Sequence, residues 1–113
     1  MGDDCLFCRI IRKEIPATIV KETAQCVAFR DVNPQAPTHV LVIPREHVPT
    51  LGAAGDPAMV GRLALLAAEI AKEEGIAESG YRMVINTNRD AGQTVFHIHL
   101  HLLGGRKLDW PPG

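Results

Sequence analysis

The chain has 113 residues, 46% of them hydrophobic, and a net charge of -1. That is enough apolar material for one folded domain, residues 1–113, and excludes a disordered chain. The absence of a basic block argues against a nucleic-acid partner, and no apolar run is long enough to span a bilayer.

The start, Met1-Gly2-Asp3-Asp4, is acidic and lacks the charged and apolar regions of a signal peptide, so a cytoplasmic location is expected. Cys5, Cys8 and Cys26 are an odd number and suggest no disulfide framework. Asp3 or Asp4 is placed to cap a helix over roughly Cys5–Lys13, with Leu6, Phe7, Ile10 and Ile11 as its apolar face and Pro16 as its stop. Thr18–Lys21 and Cys26–Arg30 are β-prone runs around a polar turn, hence a hairpin. Asp31-Val32-Asn33-Pro34-Gln35-Ala36-Pro37 is a loop stiffened by two prolines. Thr38–Ile43 reads as a strand that carries His39 and ends at Pro44, with His47 in the following loop.

Asp56-Pro57 is a cap followed by proline at the first helical position. The spacing predicts a helix over Ala58–Glu74 closed by Gly75, with Met59, Leu63, Leu66 and Ile70 inward. Tyr81–Thr87 reads as a strand. The loop Arg89-Asp90-Ala91-Gly92-Gln93-Thr94 has the glycine, amide and hydroxyl of an anion cradle, although most such loops are plain turns. The tail after Leu103 is irregular. Its lone tryptophan, Trp110, orders it by packing on the body or on a second subunit, or else the end frays. The order of elements predicts an α+β fold with an antiparallel sheet.

The most informative stretch is His97-Ile98-His99-Leu100-His101-Leu102-Leu103. Strict alternation is strand periodicity, so Ile98, Leu100 and Leu102 face a core and three imidazoles share the other face. Such a row can do two things. Two of the rings can converge on a metal ion. Alternatively, the row can track an elongated charged substrate, one neutral ring attacking while a neighbour donates a proton or steadies negative charge.

This stretch, with Gly92-Gln93-Thr94-Val95-Phe96 before it, resembles the histidine-triad (HIT) family. The similarity extends through Ile10-Ile11-Arg12-Lys13-Glu14-Ile15-Pro16, Pro34-Gln35-Ala36-Pro37-Thr38-His39, Tyr81-Arg82-Met83-Val84 and Gly104-Gly105-Arg106. Trp110-Pro111-Pro112-Gly113 points to the Hint branch, the purine nucleoside phosphoramidases. The resemblance implies a five-stranded antiparallel sheet with a short N-terminal helix and one long helix, paired as a homodimer. It implies a hydrolase that cleaves purine nucleoside phosphoramidates through a nucleotidyl-histidine.

It also implies residue roles. His99 is the nucleophile. His101 contacts the phosphate, with the Thr94 hydroxyl and the backbone at Gly92 and Gln93. His97 and His39 complete the polar network at the leaving group. Asp31 holds the ribose, with Val32 beside it. Leu6, Phe7, Ile10 and Phe29 form the base slot, and Asn86 reaches the nucleotide. The family more often has serine at the position of Thr94. No magnesium-binding carboxylate cluster is visible, so catalysis is expected to need no metal.

Two readings compete with this one: a nucleotide-binding scaffold with vestigial catalysis, and a metalloenzyme using His97 and His99. Finally, Cys5-x-x-Cys8 spacing places two thiolates within reach of one ion. His47 and His97 are the remaining candidate ligands, and some similar bacterial proteins bind zinc in this way. A closed four-ligand site would be a structural zinc site.

Overall fold

The computed structural model describes residues 4–113. In chain order the elements are α1 (Leu6–Ile11), β1 (Ile19–Glu22), β2 (Cys26–Arg30), β3 (Thr38–Pro44), α2 (Pro57–Glu73), β4 (Tyr81–Val84) and β5 (Leu100–Gly104). The five strands form one antiparallel sheet in the order β1-β2-β3-β5-β4. β3 is its centre and is buried along its whole length.

Side-chain parity divides the sheet into two working faces. Cys26 and Ala28 of β2, Val40 and Val42 of β3, and Leu100 and Leu102 of β5 pack beneath α2, against Leu63, Ala67 and Ile70. Val27, Phe29, Leu41 and Ile43 point the other way and pack with Phe7 and Ile10 of α1. His39 and His101 share the parity of this second face, so they lie on the α1 side. The α2 side supplies the larger apolar core; the α1 side carries His39 and His101.

α2 begins as the sequence suggests. Asp56 Oδ1 accepts the amide of Ala58 at 3.0 Å, Pro57 opens the helix, and Gly75 follows its end at φ 78°. α1 differs from expectation. Asp3 lies outside the described residues, and the capping residue is Cys5, not Asp4: its sulfur accepts the Cys8 amide at 3.4 Å. The helix ends well before Pro16, because Lys13 turns the backbone left-handed at φ 64°.

β2 has the expected limits, and the other strands have corrected ones. β3 runs through Pro44, and β4 stops at Val84 rather than Thr87. The ladder of β5 starts only at Leu100, so His97 and His99 precede it. The reason is that the backbone there serves other partners. The Ile98 amide goes to the Val48 carbonyl at 2.7 Å, and the His97 carbonyl accepts from the His99 ring. The inward course of Ile98 persists nonetheless, since it joins the α2 core.

The C-terminal tail is tied to β4. Arg82 donates to the Asp109 carbonyl at 3.0 Å, and its guanidinium lies 6.0 Å from the centre of the Trp110 ring, which is otherwise exposed. Among the described residues, no helix is long and apolar enough to cross a membrane.

Candidate active site

A cavity of about 400 Å³ opens on the α1 side of the sheet. Leu6, Phe7, Ile10, Phe29, Leu41 and Val95 give it apolar walls, and Asp31, Val32 and Thr94 also line it. Phe7 stands edge-on to Phe29, ring centres 5.3 Å apart. The dimensions and mostly apolar lining suit a flat heteroaromatic ring. Ile15, Pro16, Ala17 and Arg30 complete the wall. Sequence reasoning did not assign these four to the site, nor Leu41 and Val95; for the first three the signal was Pro16, which fixes the chain just beyond α1.

Beyond Phe7 lie the histidines. The Phe7 ring meets that of His99 at 5.0 Å, and His99 meets His101 at 5.0 Å. Their protonation states follow from their partners. His99 Nδ1 is 2.8 Å from the His97 carbonyl, which can only accept. Nδ1 therefore carries a proton, and in the neutral tautomer the lone pair lies on Nε2.

His101 is set by a longer chain of the same logic. The Gln35 amide donates to His39 Nδ1 at 3.0 Å, so neutral His39 is protonated at Nε2. That nitrogen is 2.9 Å from His101 Nδ1, which must accept. His101 thus presents Nε2–H. Both rings are held neutral. Burial lowers the His39 pKa, with the Asp31 carboxylate opposing weakly from 3.4 Å. Burial, then the neighbouring His99 and His39, push His101 down to about 4. Asp31 also accepts the Asn33 amide at 2.8 Å, which fixes the carboxylate beside the cavity.

The glycine-bearing loop corrects one expectation. The Gly92 amide donates to Arg89 and the Gln93 amide to Asn88, at 3.0 and 3.1 Å, so neither is available to an anion. The Gln93 side chain is buried and bonded to backbone on both sides. The amides of Thr94 and Val95 make no hydrogen bond among the described residues, and both residues line the cavity. They and the exposed Thr94 hydroxyl are the donors this loop offers. Asn86 follows β4, half-buried and outside the cavity lining.

His97 turns towards the two cysteines, as the metal reading of Cys5, Cys8, His47 and His97 expects, and not towards the leaving-group network. It is fully buried, and its Nε2 donates to the Pro44 carbonyl at 2.8 Å. Its Nδ1 points away from the other triad members, 3.5 Å from both Cys5 and Cys8 sulfurs. Burial lowers its pKa, so this nitrogen keeps its lone pair. Cys8 Sγ is 3.3 Å from His47 Nδ1. The ligand atoms of Cys5, Cys8, His47 and His97 all lie within 4.8 Å of one another. Bonds of about 2.3 Å to sulfur and about 2.0 Å to nitrogen give tetrahedral edges of roughly 3.5 Å, in line with the sulfur–nitrogen distances of 3.3 and 3.5 Å here. The Pro44 carbonyl is the outer partner that a metal-bound imidazole ordinarily has.

Comparison with known proteins agrees with the geometry. The chain is 55% identical over 115 aligned residues to a HIT-like protein of Synechocystis sp., covering all of both chains. It is 52% identical over 110 residues to the purine nucleoside phosphoramidase of Escherichia coli K12, covering 96% of this chain and 92% of that protein. The crystal structure of a HIT family hydrolase from Legionella pneumophila superposes with a TM-score of 0.95 at 50% identity, covering 97% of this chain and all of that one. Residues 12–108 match the family description "HIT domain", and with the histidine cluster and the sheet in place the chain belongs to the HIT domain family.

Proposed function

We propose that this chain hydrolyses purine nucleoside phosphoramidates such as adenosine 5'-phosphoramidate and AMP-amines, and that the same attack on the α-phosphorus of an aminoacyl-adenylate breaks a P–O bond and expels a carboxylate instead of an amine. The observation that carries the reading is the 2.8 Å bond from His99 Nδ1 to the His97 carbonyl, which leaves Nε2 as a neutral nucleophile next to the cavity. The purine fills the apolar slot, and Asp31 receives the ribose hydroxyls. His99 Nε2 attacks the α-phosphorus, the P–N bond to the amine breaks, and the departing amine takes its proton from water. A nucleotidyl-histidine results. Water then attacks phosphorus, the P–Nε2 bond breaks, and His99 returns to its neutral form with release of AMP and a proton. His101 Nε2–H, the Thr94 hydroxyl and the free amides of Thr94 and Val95 steady the phosphoryl charge. The similarity to a phosphoramidase supports this reading.

Two further elements belong to it. Cys5, Cys8, His47 and His97 hold a structural zinc ion, which pins α1 and its part of the slot to the segment bearing His99. The chain pairs as a homodimer through the exposed edge of β4 and the outer face of α2, where Leu65 is 74% exposed.

A turnover assay with a fluorogenic adenosine phosphoramidate, with and without brief chelator, tests the proposal. Turnover that survives the chelator is expected. Nucleotide binding with no turnover would mean a scaffold. Turnover abolished at once by chelator, with the fold intact, would mean a metalloenzyme.

A further inference from the structure

We propose that Gln93 is a positioning residue that aims the phosphate-binding backbone and does not itself touch the nucleotide. This rests on the phosphoramidase reading above. Gln93 is only 6% exposed, although it sits in an otherwise open loop. Its Nε2 donates to the Pro49 carbonyl at 2.9 Å and to the Val95 carbonyl at 3.1 Å. Its Oε1 accepts the Asn88 amide at 2.9 Å. Both side-chain donors are therefore engaged, and the amide group has none to offer a ligand.

Those three contacts fall on three separate pieces of chain. Asn88 begins the loop, with a left-handed φ of 67°. Pro49 lies two residues after His47. Val95 lies two residues before His97. The Ile98 amide on the Val48 carbonyl adds a parallel tie between the same two segments. Gln93 thus clamps the loop before the triad onto the loop after β3. Between its own position and its Val95 contact lie the unbonded amides of Thr94 and Val95. Fixing the Val95 carbonyl fixes the plane of the next peptide and limits how the preceding two can turn. Donors held in advance stabilise phosphoryl charge without a cost of reordering.

The substitution Gln93→Glu separates this role from simple packing. Ionised glutamate keeps the shape but only accepts hydrogen bonds. It retains the Asn88 contact and faces two carbonyls with no proton between them. Its protonated form can donate to one of them again, and burial raises the pH at which it does so. The loss should therefore shrink on acidification, relative to the unmutated protein at the same pH. Gln93→Met, similar in size, cannot recover in this way.

The test is calorimetric titration of the full chain with AMP and with adenosine, at about pH 8 and about pH 6. At the higher pH, Gln93→Glu should weaken AMP by about tenfold or more, as expected for stranded buried acceptors, and adenosine by less than about twofold. The AMP deficit should narrow at the lower pH for Gln93→Glu and stay constant for Gln93→Met. Unchanged AMP affinity in both variants, or equal losses for AMP and adenosine, would overturn the proposal. If the variants do not fold, NMR of the unmutated protein decides. AMP should shift the Thr94 and Val95 amide resonances and leave the hydrogen-bonded Gln93 side-chain protons in place; a direct nucleotide contact to those protons overturns the proposal. Failure of the unmutated protein to bind AMP would instead remove the nucleotide reading itself.

Discussion

His39 Nε2 lies 2.9 Å from His101 Nδ1, and this contact decides which edge of His101 is left for substrate. His39 is buried and His101 half-buried, and both are held neutral, which ties the site to pH. The His101 pKa is held at about 4, against about 6.5 in an unfolded chain. Between those values the unfolded chain binds a proton that the folded chain refuses. Stability from this group is complete above about pH 6.5 and falls as the pH drops towards about 4, by at most about 1.4 kcal/mol per pH unit. Urea unfolding across that range should show the slope, and His101→Gln should reduce it.

His99→Ala should lower turnover by roughly 10³-fold or more while AMP still binds, because the slot and the loop donors remain. Single-turnover kinetics and a binding titration on the same preparation check both halves. Near-normal turnover would move the nucleophile elsewhere.

Asp31→Asn should weaken ribonucleotides more than 2'-deoxyribonucleotides, since a neutral amide is a poorer partner for two hydroxyls than a carboxylate. A competition assay with matched ribo and deoxy ligands measures the ratio. Equal losses would place Asp31 in a purely local role, holding Asn33 and His39.

Zinc near one equivalent per chain is expected by elemental analysis of protein purified without chelator or a metal-binding tag. Cys5→Ser with Cys8→Ser should abolish it and lower the melting temperature more than turnover per folded molecule. Protein that stays metal-free after zinc addition and dialysis would rule the site out.

Light scattering at micromolar concentration should give about twice the 12.3 kDa chain mass. A 12.3 kDa particle would remove the dimer and leave β4 as an uncovered edge.

Much of the fold was legible because it depends on side-chain parity and local caps. The alternation through His101 and Leu102 sorts the sheet's two faces correctly, and Asp56-Pro57 starts α2 where the sequence places it. The slot residues Leu6, Phe7, Ile10 and Phe29 and the four-residue cysteine–histidine group also come together as read. What escaped is carried by backbone. The protons on His97, His99 and His39 are set by the Pro44 carbonyl, the His97 carbonyl and the Gln35 amide, whose positions depend on how distant loops meet. The start of β5 was misplaced for the same reason: local periodicity does not reveal that the Ile98 amide has a partner at Val48. Nor does a glycine in a loop disclose that its amide is already engaged, as at Gly92.

The division of the sheet into two faces has a consequence for how this sequence can change. Ile98, Leu100 and Leu102 belong to the core, while His97, His99 and His101 occupy the alternate positions. A single-residue deletion inside this alternation, between Ile98 and Leu102, would put the residues on its two sides out of phase. It would turn imidazoles into the apolar core and leucines towards the phosphate in the same event. Loss of one codon here therefore removes stability and chemistry together, whereas paired insertions or deletions preserve the frame. Length variation across natural or laboratory libraries should accordingly be absent from this segment and concentrate in the exposed turn around Gly52–Gly55.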